Sequence, residues 1–263
     1  MGAISISGLS FRYDKGPIVL NNIDLDIDDG EFVCVLGASG CGKSTLLRLL
    51  SGLSLPTNGR ICIDGVPVTG PGPDRMIVFQ NYSLFPWLTA LGNVEFAVKQ
   101  ANRNLSKAEI RRVSAEYLKK VGMWDAAKKY PYQLSGGMSQ RVAIARALSM
   151  NTDILLLDEP FGALDAKIRK ELHVLLESLW KTGDQKQKTV VFVTHDIEEA
   201  IRLADRIVFM RQGVIMDDMI ISRPRPRTAI DTNKDEDYIA IKRHIMGLFN
   251  AVSETGGDDE NLL

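Results

Sequence analysis

Cysteine is scarce in this chain: the three present, Cys34, Cys41 and Cys62, are odd in number and follow no metal-ligand spacing. That excludes a disulfide scaffold and a thiolate metal centre, and leaves free thiols, as expected of a reducing cytoplasm. Long apolar runs are missing too, and none approaches the roughly 18–20 residues that a membrane-spanning helix needs. The stretch Met1 to Leu9 has no basic region followed by an apolar one, so no export signal is expected. Charge of one sign is not in excess. With a net charge of −1 and a pI near 6.3, nothing in the bulk charge points to a nucleic-acid partner. If the protein works at a membrane, another subunit must hold it there. Neither an internal repeat nor a low-complexity tract is found.

What is present is the profile of a globular protein, 45% hydrophobic and 25% charged over 263 residues. That length suits one large α/β domain with a subdomain. Alternation from Ile4 to Phe11 and from Ile23 to Ile27 predicts strands, the second ending at the turn Asp28-Asp29-Gly30. Glu31 to Leu36 is a short apolar run of the kind buried in parallel sheets. A glycine-rich loop follows, then helical spacing from Leu46 to Leu53, a turn at Pro56 to Gly59 and strands at Arg60 to Ile63 and Met76 to Phe79. Leu88 to about Tyr130 reads as helical, and Ile154 to Leu157 and Val190 to Val193 as buried strands. This order predicts an α/β fold with a mainly parallel sheet, an N-terminal antiparallel part and a helical subdomain inserted over about residues 81–150. The main domain is expected over 1–221. A tail over 222–263 follows, with helical spacing at Tyr238, Ile241, Ile245 and Leu248 and a mobile acidic end from Glu254 to Glu260. Arg223-Pro224-Arg225-Pro226-Arg227 cannot be regular helix.

Gly37-Ala38-Ser39-Gly40-Cys41-Gly42-Lys43-Ser44-Thr45 matches G-x-x-x-x-G-K-[ST], after an apolar strand and at the opening of a helix. Glycines let the backbone wrap a phosphate chain, and the N–H groups of the helix N-terminus point at it. Lys43 is expected to neutralise the β- and γ-phosphates and Ser44 to ligate Mg²⁺. Ile154-Leu155-Leu156-Leu157-Asp158-Glu159 is an apolar strand ending in two carboxylates, Asp158 for Mg²⁺ and Glu159 for the attacking water. By itself that ending also suits a solvated Asp-Glu pair. Leu134-Ser135-Gly136-Gly137-Met138-Ser139-Gln140-Arg141 reads as a capped helix start at Ser135, with glycines that allow a close approach.

These stretches together resemble the ATP-binding cassette (ABC) ATPases, whose signature is usually written L-S-G-G-Q; here Met138 stands at the last position. The resemblance covers about residues 4 to 221. It implies the family's other landmarks in order: Tyr13 stacking on adenine, Gln80 as the Q-loop glutamine and a Mg²⁺ contact, Ala163-Leu164-Asp165 as the D-loop, and His195 as the switch histidine. His173 and His244 have no such support and are expected at the surface. Gly70-Pro71-Gly72-Pro73-Asp74-Arg75 leading into Val78-Phe79-Gln80-Asn81-Tyr82-Ser83-Leu84-Phe85-Pro86-Trp87, with Met138 and Arg223-Pro224-Arg225, is similar to subunits serving nitrate, sulfonate and taurine uptake.

The resemblance implies an ATPase using ATP and Mg²⁺. Two cassettes, in a homodimer or pseudo-dimer, would sandwich two ATP molecules, with Ser135, Gly136 and Gly137 of one facing the phosphate loop of the other. It also implies transmembrane permease subunits, an extracytoplasmic solute-binding protein met indirectly, and a place on the cytoplasmic face of the cell membrane. The cluster Tyr82, Leu84, Phe85 and Trp87 is then either the seat of the membrane subunit or local core of the helical part. A soluble ABC ATPase acting on DNA or ribosomes is the alternative. The chain has no long insertion between Gln80 and Ser135 and a single cassette, unlike those members. A different phosphate-loop enzyme, such as a small-molecule kinase, would leave Ser135, Asp165 and His195 unexplained.

Overall fold

The computed structural model describes residues 2–80, 83–150, 152–162, 164–180, 187–222, 224, 225, 227 and 235–250. In chain order the elements are β1 (Ile4–Arg12), β2 (Ile18–Ile27), β3 (Phe32–Leu36), α1 (Lys43–Leu50), β4 (Asn58–Ile63), β5 (Val66–Pro67), β6 (Arg75–Val78), α2 (Ala90–Ala101), α3 (Lys107–Lys120) and α4 (Gly136–Ser149). Then come β7 (Ile154–Asp158), α5 (Ala166–Trp180), β8 (Thr189–Thr194), α6 (Ile197–Leu203), β9 (Arg206–Arg211), β10 (Val214–Ile220) and α7 (Glu236–Asn250).

Two sheets result. One is four-stranded and antiparallel, in the order β2-β1-β4-β5. The other is six-stranded, in the order β10-β9-β3-β8-β7-β6, and parallel except for β10 on β9. β3 shows why its run is uninterrupted. Phe32, Cys34 and Leu36 point to one apolar cluster with Phe161, Leu172 and Phe192, while Val33 and Val35 point to another with Leu46, Leu47 and Ile61. Both faces are covered, so no position can be polar. The strand β1 is half-exposed and alternates instead, with a register shift between Ile6 and Leu9 that lets Leu9 and Phe11 stay buried although the parity changes.

A third cluster, around Leu91, Val94, Val98, Leu118, Val121 and Val142, binds α2, α3 and the start of α4 together. The stretch read as helical from Leu88 to Tyr130 is thus broken into α2, α3 and a short 3₁₀ turn at Trp124–Ala126. A capping box starts α3: the Ser106 hydroxyl accepts from Glu109 N at 3.3 Å, and the Glu109 carboxylate accepts from Ser106 N at 2.8 Å. The strand β2 begins at Ile18 rather than Ile23.

Beyond Ile221 the chain is built into the main core. Arg225 lies 4.4 Å over the Trp180 ring and pairs with Asp205 at 2.8 Å, and Arg227 donates to the Ile201 and Ile221 carbonyls at 3.1 Å each. Helix α7 buries Tyr238 and Ile245 in the same cluster as β3, and Phe249 meets Phe209 edge-on at 4.9 Å. Arg223, Pro226 and the acidic end lie outside the described residues. Among the described residues no helix is long and apolar enough to cross a membrane.

Candidate functional site

The loop between β3 and α1 sits at the end of the parallel sheet, where the crevice beyond the strands' carboxyl ends is the usual ligand site. Gly42, which precedes the first residue of α1, has φ 107, and a side chain there would come within 2.7 Å of Leu20. No side chain caps α1, so the backbone N–H groups at its start stay available for an anion. Lys43 is buried, and its ammonium donates to the Gly37 and Ala38 carbonyls at 2.8 Å each, drawing the loop into a ring.

The loop is joined to β7 by one bond: the Ser44 hydroxyl donates to Asp158 Oδ1 at 2.9 Å. Burial pushes the Asp158 carboxyl up from its ordinary value. The Ser44 bond opposes that, the neighbouring Glu159 adds to it, and Lys43 opposes it. A carboxylate and a hydroxyl in contact beside a phosphate loop, with Gln80 lining the same cleft, are hard oxygen donors of the type Mg²⁺ takes. Among the described residues no three His, Cys, Asp or Glu side chains gather as a metal cluster.

Glu159 has φ 42, an uncommon left-handed conformation for a residue with a side chain. Its N–H donates to the Val193 carbonyl at 3.0 Å, and its Oε2 lies 3.2 Å from Nδ1 of the half-exposed His195. The ends of two parallel strands, β7 and β8, thereby bring Glu159 and His195 together across 36 residues of sequence. Around these groups lies a cleft of about 300 Å³ lined by Ser39, Lys43, Ser44, Gln80 and Glu159 among others. Tyr13 stands at its edge, half-exposed, edge-on to Phe11, with its hydroxyl 3.2 Å from Thr45 Oγ1. The Cys41 side chain belongs to the core cluster, with its Sγ 4.0 Å from the Lys43 ammonium, and burial pushes its thiol up.

The signature residues are elsewhere. Ser135 caps α4, its hydroxyl accepting from Met138 N at 3.3 Å, and it is exposed together with Gly136. Neither they nor Gly137 line the phosphate cleft. The close approach at Gly137 is internal, since a Cβ there would lie 2.9 Å from Ile168 of α5. Asp165 is exposed and caps α5, its Oδ1 accepting from Ile168 N at 3.0 Å; Ala163 lies outside the described residues.

Phe85 is half-buried, 4.9 Å from Phe96 and 5.5 Å from Trp87, which is 70% exposed. An apolar groove of about 300 Å³ opens beside it, lined by Met76, Ile77, Phe79, Phe85 and Phe96, with Arg146 at its edge. The loop is pinned by Asn93, fully buried in α2, whose Oδ1 accepts from Phe85 N at 2.8 Å and whose two amide protons are shared among the Phe85, Leu88 and Thr89 carbonyls at 3.0–3.2 Å. Tyr82 lies outside the described residues. Sequence reading missed Asn93, although a poor helix former between Leu91 and Val94 is itself a signal. It also misplaced His173. That side chain is 5% exposed, stacks edge-on to Phe161 and lies 3.3 Å from Glu199, because α5 turns it inward beside Leu172 and Leu176. His244 is exposed as expected and bonds Asp217 at 2.5 Å.

Comparison with known proteins identifies the family. Residues 20–162 match the ABC transporter family. The chain is 50% identical over 85% of its length to the nitrate import ATP-binding protein NrtD of Synechococcus elongatus, covering 82% of that protein. It is 47% identical over 88% of its length to the bicarbonate transport ATP-binding protein CmpD of a Synechocystis species, covering 83% of it. Among solved structures, a dimeric post-hydrolysis state of the ATP-binding cassette MJ0796 bound to ADP and Pi superposes with TM-score 0.76 at 37% identity, over 84% of this chain and 100% of that one.

Proposed function

Because this chain belongs to the ABC transporter family and is an ATPase that uses ATP and Mg²⁺, we propose that it is the ATP-hydrolysing subunit of an importer for a small inorganic anion. Relatives named for nitrate and for bicarbonate support that solute class over sulfonates or taurine. The observation that carries the hydrolytic part is the Ser44–Asp158 bond at 2.9 Å with Glu159 and His195 3.2 Å apart in the same cleft.

In this reading Tyr13 stacks on the adenine, and the backbone from Gly37 to Thr45 wraps the phosphates. Lys43 leaves its own loop carbonyls for the β- and γ-phosphate oxygens, exchanging two neutral acceptors for charged ones. Ser44, Asp158 and Gln80 would hold Mg²⁺, which would supply neutralising charge to the phosphates. Glu159 orients and deprotonates the attacking water, and His195 fixes the Glu159 carboxylate through Nδ1. Ser135, Gly136, Gly137 and Asp165 serve the nucleotide of a second cassette, so that hydrolysis requires a closed pair. The groove beside Phe85 and Trp87 receives the transmembrane permease, which places the chain on the cytoplasmic face of the membrane and couples it indirectly to an external solute-binding protein.

The test is reconstitution of the chain with its membrane subunits and binding protein in vesicles, followed by ATP-dependent accumulation of labelled nitrate and of labelled bicarbonate. Accumulation of one of them is expected. A complex that hydrolyses ATP but moves neither would overturn the anion-importer reading and leave the ATPase standing.

A further inference from the structure

His195 owes its position to the short segment between β8 and α6, and side chains outside the reaction hold that segment. Thr194, 2% exposed, donates its hydroxyl to Glu199 Oε2 at 2.7 Å and accepts from Asp196 N at 3.0 Å. Asp196 Oδ1 accepts from Glu198 N and Glu199 N at 2.8 and 3.2 Å, starting α6. Glu199, 4% exposed, lies 3.3 Å from His173 Nε2 and 3.6 Å from Arg169 Nε.

Arg169 comes from the first turn of α5 and reaches two loops at once. Its Nη1 donates to Asp196 Oδ2 at 3.2 Å, and its Nη2 donates to the Leu164 carbonyl at 3.1 Å. Leu164 adjoins Asp165, the cap of α5. One guanidinium therefore bridges the 164–165 turn and the segment that carries His195. Glu159 hangs between them, with its N–H on the Val193 carbonyl and its carboxylate on His195. A cavity of about 210 Å³ lies beside Arg169, lined by His173, Asp196 and Glu199 among others.

A partly exposed ion pair by itself adds only about 0–1 kcal/mol to stability. The geometry points to something else. A planar fork can hold two acceptors in fixed relative positions, which a lysine cannot do. We propose that Arg169 is a positioning residue for hydrolysis, coupling the Leu164–Asp165 turn to His195 so that the docking of a second cassette against that turn sets the Glu159–His195 pair. The proposal rests on the reading of Glu159 and His195 given above.

The experiment compares Arg169→Met, Arg169→Lys, Asp196→Asn and the Arg169→Met/Asp196→Asn double variant for kcat, KM, thermal stability and affinity for a fluorescent ATP analogue. Asn keeps the Oδ1 acceptor that starts α6, since Asn and Asp are equivalent caps, and removes only the acceptor facing Arg169. Arg169→Met and Asp196→Asn are each expected to lower kcat about tenfold or more, with nucleotide affinity and KM within about twofold. The double variant should be no slower than the slower single variant, because both break one link. Arg169→Lys should recover part of the loss. Multiplying effects, a loss that follows the melting temperature, or a folded variant with kcat within about twofold of the parent would overturn the proposal. Should Arg169→Met fail to fold, Asp196→Asn decides alone. If Glu159→Gln is inactive while Asp196→Asn is normal, only this coupling falls; if Glu159→Gln turns over normally, the underlying reading falls first.

Discussion

Two glycine-bearing helix starts in this molecule look alike in sequence and differ in their surroundings. At α1 the first turn is uncapped by any side chain and stands in a cleft with Lys43, Ser44, Gln80 and Glu159. At α4 the first turn is already capped by Ser135, begins exposed, and does not line the phosphate cleft. The first is a site assembled within one chain. The second would be half of a site in the proposed pair of cassettes, with the remainder supplied by another chain. Its chemistry allows this, because a hydroxyl that accepts from Met138 N still has its own proton to donate. The solved dimeric cassettes of similar fold are consistent with that arrangement.

The largest effect should come from breaking the site assembled within the chain. Glu159→Gln keeps the shape and the contact with His195 but cannot take a proton from water. Turnover should fall by about 100-fold or more, while nucleotide binding persists and the paired form accumulates. Measuring ATPase rate and sedimentation with ATP and Mg²⁺ checks both halves. Turnover near that of the parent would show that a different group activates water.

The incomplete site should respond differently. Ser135→Arg loses a helix cap worth about 1 kcal/mol, so the chain should still fold. Nucleotide binding to the single chain should stay within about twofold, since Ser135 lies outside that cleft, whereas ATP-driven pairing and turnover should fall together by about tenfold or more. Titration of a fluorescent nucleotide beside light scattering with ATP makes the comparison. Loss of binding to the single chain would erase the distinction between the two helix starts.

What was legible in the sequence follows the same division. Contiguous chemistry could be read directly: the phosphate loop lies within nine residues, and Asp158 and Glu159 end an apolar strand. Pairs that meet only through the sheet could not. The 3.2 Å contact of His195 with Glu159 depends on β7 and β8 being neighbours; the resemblance implied a switch histidine at His195 but not this contact. The burial of His173 is accompanied by Glu199, which arrives from α6, so a histidine without a motif was expected at the surface although Leu172 and Val174 flank it. Arg169 carried no motif, because its two acceptors lie on separate loops. The rigid role of Asn93 was hidden for the same reason, as its partners form a loop that no periodicity describes.

The smallest effect on hydrolysis should come from the apolar groove, which like the start of α4 has no partner element seated on it among the described residues. Phe85 contributes its ring to Phe96, Trp87 and the Arg146 guanidinium, whose centre lies 5.5 Å from the ring. Its backbone is fixed independently by Asn93, so changing the side chain should not unravel the loop. Arg146 makes the sign of the introduced charge informative. A carboxylate from Phe85→Asp would face that guanidinium, whereas Phe85→Lys would set two like charges together in a partly desolvated place. The Asp variant should keep basal ATPase activity within about twofold and lose no more than about 4 °C of melting temperature, roughly a 1 kcal/mol change. The Lys variant should melt lower. Both should lose recovery of the membrane subunits, because a charge has replaced an apolar anchor at the docking surface. Thermal stability, basal hydrolysis and complex recovery measured on both variants separate this from a core role. If Phe85→Asp unfolds or stops hydrolysing ATP as completely as a core substitution, the groove belongs to the interior of the chain and the docking assignment for Phe85 is lost.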